Sequence, residues 1–454
     1  MKNIVLIAID TQRADHLGCY GYGRDTSPCL DAFAAKGVAF DACWSASNFT
    51  APAFTSLFTG LYPNHHGVFD FASQAQASPV HDCLQANGVR TGGAVTFRFF
   101  QRLLGRIWGD LEAVTDTRSS NYAKDLPKVV SDAGVEWLEA HGNEGPFALF
   151  LHYDGPHMPY RLPDEYSHHF GDIADSEIDP KISQVLFPQD VEQFGDAEAG
   201  GMFQFIEAVD RGKQKVDATT RQWIVDRYDD SVRYNDAEIG RVFAAIESLG
   251  LADDTLVAVI SDHGEELLDH GHLAHAGIHL YDDTIRTVAL VLGPGLPEGG
   301  RVERPVSHVQ LWPWLLRLAG AEHLPEAWSG LDLLDESQTP PVFCIGEFKS
   351  AVRRGAHKLI RRRIIPQHGR LKRLRLWLKM LLMHELGDEV YNLSDDHGEH
   401  KNLASDSTLR NELGALLDAH VNSDAADLGL SVKGDLDEAE RARIEKEMRD
   451  LGYM

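Results

Sequence analysis

The chain has 454 residues, 43% hydrophobic and 9% aromatic, with a formal net charge of -26. This is ordinary globular composition on a chain long enough to bury one large core and a smaller one. The acidity argues against general nucleic-acid binding and for a self-repelling, soluble surface.

In chain order, Ile4 to Ile9 is a short apolar run of the kind found in a strand buried on both faces, and Asp10 stands directly at its end. Thr26 to Gly37 reads as a capped helix and Val38 to Cys43 as an extended segment. Thr50 precedes Ala51 and Pro52, with proline in an early-helix position, so Thr50 is expected at a helix N-terminus, where free N–H groups and a positive dipole suit an anionic ester. A plain helix cap is the simpler alternative for this threonine. Pro127 to His141 is an amphipathic helix, and Phe147 to His152 a second buried-type strand running into Tyr153, Asp154, Gly155, Pro156 and His157. Residues 171–215 are polar and acidic, read as an insertion that is either a lid or a solvated surface excursion. Thr219 to Gly250 is helical and leads into the apolar strand Leu256 to Ile260, which ends in Ser261, Asp262, His263, Gly264, Glu265 and Glu266. Two strands that each end in an aspartate can present both carboxylates to one cation beyond the same sheet edge, which makes Asp10 and Asp262 a metal-site hypothesis.

Arg286 to Leu292 supplies a further buried-type strand. After about Pro340 a smaller α+β unit follows, with strands at Val342 to Glu347, His357 to Arg362 and Glu389 to Leu393, and helices at Asp406 to His420 and Asp435 to Arg449. Within it, Arg353 to Lys379 carries eleven Lys or Arg, and Leu371, Leu374, Leu378, Leu381 and Leu382 give part of it an apolar helical face. An intramolecular or oligomer-facing helix is preferred there over contact of residues 370–384 with a membrane. The helix-turn-strand order implies an α/β fold: a doubly wound, mostly parallel central sheet flanked by helices in residues 1–335, with the 170–215 insertion, and a C-terminal α+β subdomain in 336–454. The opening apolar run reaches Asp10 too soon for a secretory signal, and no stretch approaches a membrane span. Cys19, Cys29, Cys43, Cys83 and Cys344 show no close pairs or metal spacing, as suits a reduced compartment, and the expected location is cytoplasmic.

Five stretches in order, IAIDTQRADHLGCYGY, TAPAFTSLFTGLYPNHHGV, HYDGPHMPY, SDHGEELLDHGHLAHAG and VYNLSDDHGEHKNLA, resemble the sulfatase-like branch of the alkaline phosphatase superfamily. The resemblance implies that Thr50 is the nucleophile, held with Asp10, Asp262 and His263 around a divalent cation. Sulfatases carry at that place a Cys, within C-x-P-x-R, that is oxidised to formylglycine. Here Thr50 replaces the Cys and Phe54 the Arg, and Thr96 falls where the family's anion-binding Lys would be, with Arg98 close but not aligned. A threonine nucleophile resembles instead the phosphodiesterase, phosphonate and head-group transferase branches. His157 would touch the substrate or protonate the leaving oxygen, and His275 stands near where sulfatases use Lys. Asp154, His157 and His275 are also candidates for a second cation, with His270 a weaker companion and His272 and His279 ranked below it. The expected activity is metal-dependent hydrolysis of a phosphodiester or phosphonate ester, small-molecule or head-group, through a covalent Thr intermediate. The alternatives are a sulfatase without formylglycine, a phospho-head-group transferase, and a catalytically silent binding relative. Zinc or manganese is favoured as the cation, calcium being the other option, one or two per chain, in a chain that could form a homo-oligomer.

Overall fold

The structure, a computed structural model, describes residues 1–71, 75, 78–115, 125–187, 196–275, 279–328, 330–362 and 387–423. The central sheet contains β1 (Asn3–Ile9), β2 (Val38–Phe40), β3 (Arg90–Phe97), β4 (Glu112–Thr115), β5 (Phe147–Tyr153), β6 (Thr255–Ser261), β7 (Ala289–Leu292) and β8 (Gly300–Val302). Their spatial order is β8-β2-β7-β6-β1-β5-β3-β4. The sheet is mostly parallel; β7 runs antiparallel to both of its neighbours, β6 and β2.

β1 lies at the centre because its whole length is apolar and can be buried on both faces. Ile4, Leu6 and Ala8 pack into one layer with Phe54, Leu57 and Phe58 of the Thr50–Thr59 helix and Leu311 and Leu315 of the His308–Leu318 helix. Val5, Ile7 and Ile9 enter the opposite layer with Leu30 and Phe33 of the Pro28–Lys36 helix, Val130 and Leu138 of the Leu126–His141 helix, and Ile239 and Val242 of the long Ala218–Ser248 helix. The register is what matters for chemistry. Ile9 pairs with Tyr153 on one side and with Ser261 on the other, so Asp10, Asp154 and Asp262 leave three adjacent parallel strands at the same level.

A second sheet of four antiparallel strands, Val342–Ile345, Lys349–Arg354, His357–Arg362 and Glu389–Asn392, follows in the C-terminal part. Leu413 and Leu417 of the Ser407–Val421 helix cover one face, whereas Cys344, Ala351 and Ile360 pack on Trp44, Leu280 and Ile285 of the larger body.

Two expectations change. The Arg286 to Leu292 run is not one strand: Arg286–Thr287 pairs with Cys43–Trp44, and the chain joins the central sheet only from Ala289, against the prevailing direction. An apolar run reports burial, and a strand is equally buried in either direction. Within 170–215, the helices Pro180–Leu186 and Asp196–Asp210 place Ile182, Leu186, Met202 and Ile206 in the core beside Trp223, so this stretch is not a solvated excursion. The leucine-bearing part of the basic stretch and the Asp435 to Arg449 helix lie outside the described residues. No described helix is long and apolar enough to cross a membrane.

Candidate active site

Thr50 is the first residue of its helix; the cap position belongs to Phe49, whose extended backbone precedes the turn. The hydroxyl of Thr50 is therefore not used as a cap. Its Oγ1 lies 3.1 Å from Nε2 of His263. On the far side of that ring, Nδ1 is 2.9 Å from the Gly264 carbonyl, an acceptor, so Nδ1 carries the proton and Nε2 presents a lone pair. The Thr50 hydroxyl donates to that lone pair.

Asp262 and Asp10 complete the group. Asp262 Oδ1 accepts from the backbone N–H of Thr11 at 3.1 Å and of His263 at 2.7 Å, which aims Oδ2 at His263 Nε2, 3.4 Å away. The backbone N–H of Asp10 donates to the Tyr153 carbonyl at 2.9 Å, and Asp10 Oδ1 stands 3.9 Å from His263 Nε2. Asp10, Asp262 and His263 each offer a ligand atom within 4.8 Å of the others, and all three are buried. Thr11 has a left-handed backbone at φ 56°, a strained conformation for a β-branched residue and one that recurs at functional sites.

These residues fit a cation. Asp10 Oδ1, Asp10 Oδ2 and Asp262 Oδ2 are buried oxygens with no hydrogen-bond partner, an arrangement that is costly unless a positive charge lies among them. Burial first, then Asp262, Asp154 and Glu265, push the Asp10 carboxyl well above the usual carboxylate range. A bound cation would offset that strain in the same place.

The histidines divide. His275 Nδ1 is 2.8 Å from Glu265 Oε1, and its ring centroid is 4.6 Å from that of His263 and 4.9 Å from that of His157. Burial, then His263, lower the His275 imidazole to about 3. Nδ1–H of His157 donates to the Met158 carbonyl, and burial followed by His275 lowers its imidazole too. Asp154 Oδ2 is held by Arg161 at 2.5 Å, so a guanidinium supplies the positive charge beside that carboxylate. Among the described residues, Asp10, Asp262 and His263 are the group with converging ligand atoms; Asp154, His157 and His275 do not form a second one. His270 is not brought to them either. A short hairpin, Glu266–Leu267 against Leu273–Ala274, carries it out at the tip, where its ring stacks on Tyr281 at 3.7 Å and lies 5.4 Å from His400. His272 and His279 stack on each other at 3.7 Å, with His272 3.6 Å from Asp210.

Four residues not singled out by sequence reasoning belong here. His152, fully buried, has Nε2 3.7 Å from Asp10 Oδ2, and burial lowers it to about 4. Glu265 anchors His275 and is itself raised to about 7 by burial. Arg161 and Thr11 act through Asp154 and Asp262. Thr11 follows Asp10 directly, His152 precedes Asp154 by two residues and Glu265 follows His263 by two, whereas Arg161 is recognisable only in the fold.

The sulfatase family model matches residues 2–321. The chain belongs to the sulfatase family. A relative in Escherichia coli strain K12, the uncharacterized sulfatase YidJ, is 24% identical over 452 residues, covering 89% of this chain and 83% of its own. The N-acetylglucosamine-6-O-sulfatase of Bacteroides thetaiotaomicron is 22% identical over 412 residues, with 74% of this chain and 72% of that protein covered. Among solved structures, the phosphonate monoester hydrolase of Agrobacterium radiobacter matches with a TM-score of 0.64 at 17% identity, over 92% of this chain and 95% of that one. Sulfatase-family proteins are metal-dependent hydrolases of ester bonds, and this chain is a hydrolase of that family. Phe54 and Thr96 stand at the two positions where the resemblance calls for an Arg and a Lys. Phe54 is wholly buried, its ring centroid 5.2 Å from that of His152 and 5.9 Å from that of Phe150. Thr96 is buried and donates to the His152 carbonyl at 2.9 Å. Neither side chain carries a positive charge for an anion. Arg98 opens the Arg98–Trp108 helix, and its side chain is outside the described residues.

Proposed function

We propose that the protein hydrolyses phosphodiesters or phosphonate esters through a covalent adduct on Thr50, with one divalent cation among Asp10, Asp262 and His263. The observation that carries this reading is the placement of the Thr50 hydroxyl, at the head of a helix and 3.1 Å from His263 Nε2, inside the buried carboxylate cluster. A cation held there supplies Lewis-acid charge that favours the alkoxide form of Thr50. An imidazole donor favours zinc or manganese over calcium, which prefers oxygen.

In the first half-reaction Thr50 Oγ1 bonds to phosphorus, the phosphorus–oxygen bond to the alcohol breaks, and the departing oxygen takes a proton. Solvent supplies that proton, because burial keeps the His275 and His157 imidazoles neutral. In the second half-reaction water bonds to phosphorus, the bond to Thr50 Oγ1 breaks, and Nε2 of His275, whose Nδ1 is engaged by Glu265, accepts the water's proton and returns it to solvent. The helix N-terminus favours the negative charge that both steps carry. An acceptor alcohol in place of water would make the enzyme a head-group transferase.

Sulfate ester hydrolysis is the second reading, and family membership favours it. Against it stand threonine at position 50 and the apolar packing of Phe54. Turnover of bis-p-nitrophenyl phosphate and of p-nitrophenyl sulfate, measured with Mn2+, Zn2+ and Ca2+ in wild type and Thr50→Ala, separates the two. We expect diester turnover to exceed sulfate turnover, and Thr50→Ala to lower kcat on the order of 10³-fold or more. Sulfate turnover above diester turnover reverses the substrate assignment; a Thr50→Ala enzyme of undiminished activity removes the covalent step.

A further inference from the structure

We propose that Lys358 and Glu399 of the C-terminal part are positioning residues for the metal centre: a buried ion cluster that clamps the turn on which His263 rests. The proposal builds on the cation reading above and gives a function to the fifth sequence stretch, VYNLSDDHGEHKNLA, which supplies Glu399 and contributes nothing to the site directly.

Lys358 is fully buried, the second residue of the His357–Arg362 strand. Its Nζ lies 2.8 Å from Asp282 Oδ1 and 2.7 Å from Glu399 Oε1, and 5.0 Å above the Trp44 ring. Glu399 Oε2 in turn accepts from the backbone N–H of Asp282 at 2.5 Å. Glu399 makes this contact from a left-handed backbone, φ 53°, a conformation that surrounding structure must hold in place. Three charged side chains from three chain segments thus converge on the start of the four-residue Asp282–Ile285 helix.

That helix touches the catalytic turn at backbone level. Gly264 N–H donates to the Thr284 carbonyl at 2.8 Å, and a Cβ on Gly264 would lie 1.9 Å from the Asp283 carbonyl oxygen. Only glycine allows this approach. The carbonyl of the same Gly264 accepts from His263 Nδ1 and so directs the lone pair of Nε2 toward Asp10, Asp262 and Thr50. Any shift of the 282–285 segment is passed through Gly264 to the orientation of that ring. Outer partners that orient a ligating histidine are typically worth about 10- to 100-fold in metal affinity.

The experiment is calorimetric titration of the full-length, metal-stripped chain with Mn2+ alone, on wild type, Lys358→Met, Glu399→Gln and Lys349→Met. Glu399→Gln keeps an acceptor for the Asp282 N–H and is the variant to read if Lys358→Met does not fold. Lys349→Met is the control: it breaks a comparably buried pair, Lys349 to Glu389 at 2.7 Å, in the same sheet. We expect Lys358→Met and Glu399→Gln to raise the Kd for Mn2+ by about 10- to 100-fold, with Lys349→Met within about threefold of wild type. Unchanged affinity in Glu399→Gln, or equal weakening in Lys349→Met, overturns the clamp while the cation reading stands. A wild type that binds no Mn2+ overturns both.

Discussion

Replacing Asp10 by asparagine should stabilise the metal-free protein and remove most of the stabilisation that metal binding gives wild type. Asp10 is 1% exposed, with two unpartnered oxygens, and Asp262, Asp154 and Glu265 all act to keep it from ionising. Removing a buried, unsatisfied carboxyl that must take up a proton on folding returns about 1–3 kcal/mol. Unfolding entropy near 2.1 cal/mol/K per residue makes 1 kcal/mol worth roughly 1 °C in a chain of this size, so Asp10→Asn in EDTA should melt about 1–3 °C above wild type. With Mn2+ at 100 times its Kd, wild type gains about 2.7 kcal/mol, or about 3 °C. A variant binding 100-fold more weakly gains only about 0.4 kcal/mol at the same concentration. In differential scanning calorimetry Mn2+ should therefore raise the wild-type melting temperature about 2 °C more than the variant's. If wild type is the more stable protein in EDTA, or if Mn2+ raises both equally, the carboxylate cluster is not a cation site.

Thr50→Ser retains the hydroxyl at the helix start and should keep diester turnover within about tenfold of wild type in the p-nitrophenol assay, whereas Thr50→Ala does not. Phe54→Arg should not create sulfate turnover; it puts an unpaired charge among His152, Phe100 and Phe150 and should cost at least about 3 kcal/mol in urea denaturation. A stable Phe54→Arg protein that hydrolyses p-nitrophenyl sulfate would refute that placement. Asp236 reports on pH: it accepts from the Cys29 and Leu30 N–H groups at 3.0 and 2.8 Å, and burial raises its carboxyl to about 6. The native state then binds a proton that the unfolded chain has released, so this contribution is present below about pH 4 and is lost as pH rises through 6. Relative to Asp236→Asn, wild type should lose roughly 3 kcal/mol between pH 4 and 7. A pH-independent difference between the two would show that Asp236 titrates normally.

The strand ends were readable because buried parallel strands are written as uninterrupted apolar runs, and Asp10, Asp154 and Asp262 are the first charged residues beyond them. Thr50 was readable as a helix start from Pro52, although the cap itself falls on Phe49. What stayed hidden depends on distances that no local pattern encodes. His270 and His275 are five residues apart, yet a hairpin sends one to Tyr281 and returns the other to Glu265. Asp154 has the residue type of a metal ligand, and only the fold shows that Arg161, seven residues on, bonds its Oδ2. The apolar run before Leu292 shows burial but not that β7 lies against its neighbours' direction.

The central position of β1 has a consequence for synthesis. Its partner on one side is made 252 residues after it, as the pairing of Asn3 with Thr255 shows. At 5–20 residues per second, a ribosome needs roughly 13–50 s to cover that interval. Throughout it, a strand with two apolar faces has no completed sheet to enter and offers a sticky edge to neighbouring nascent chains. Yield in cells should therefore depend on chaperone supply more steeply than the finished protein's stability would suggest.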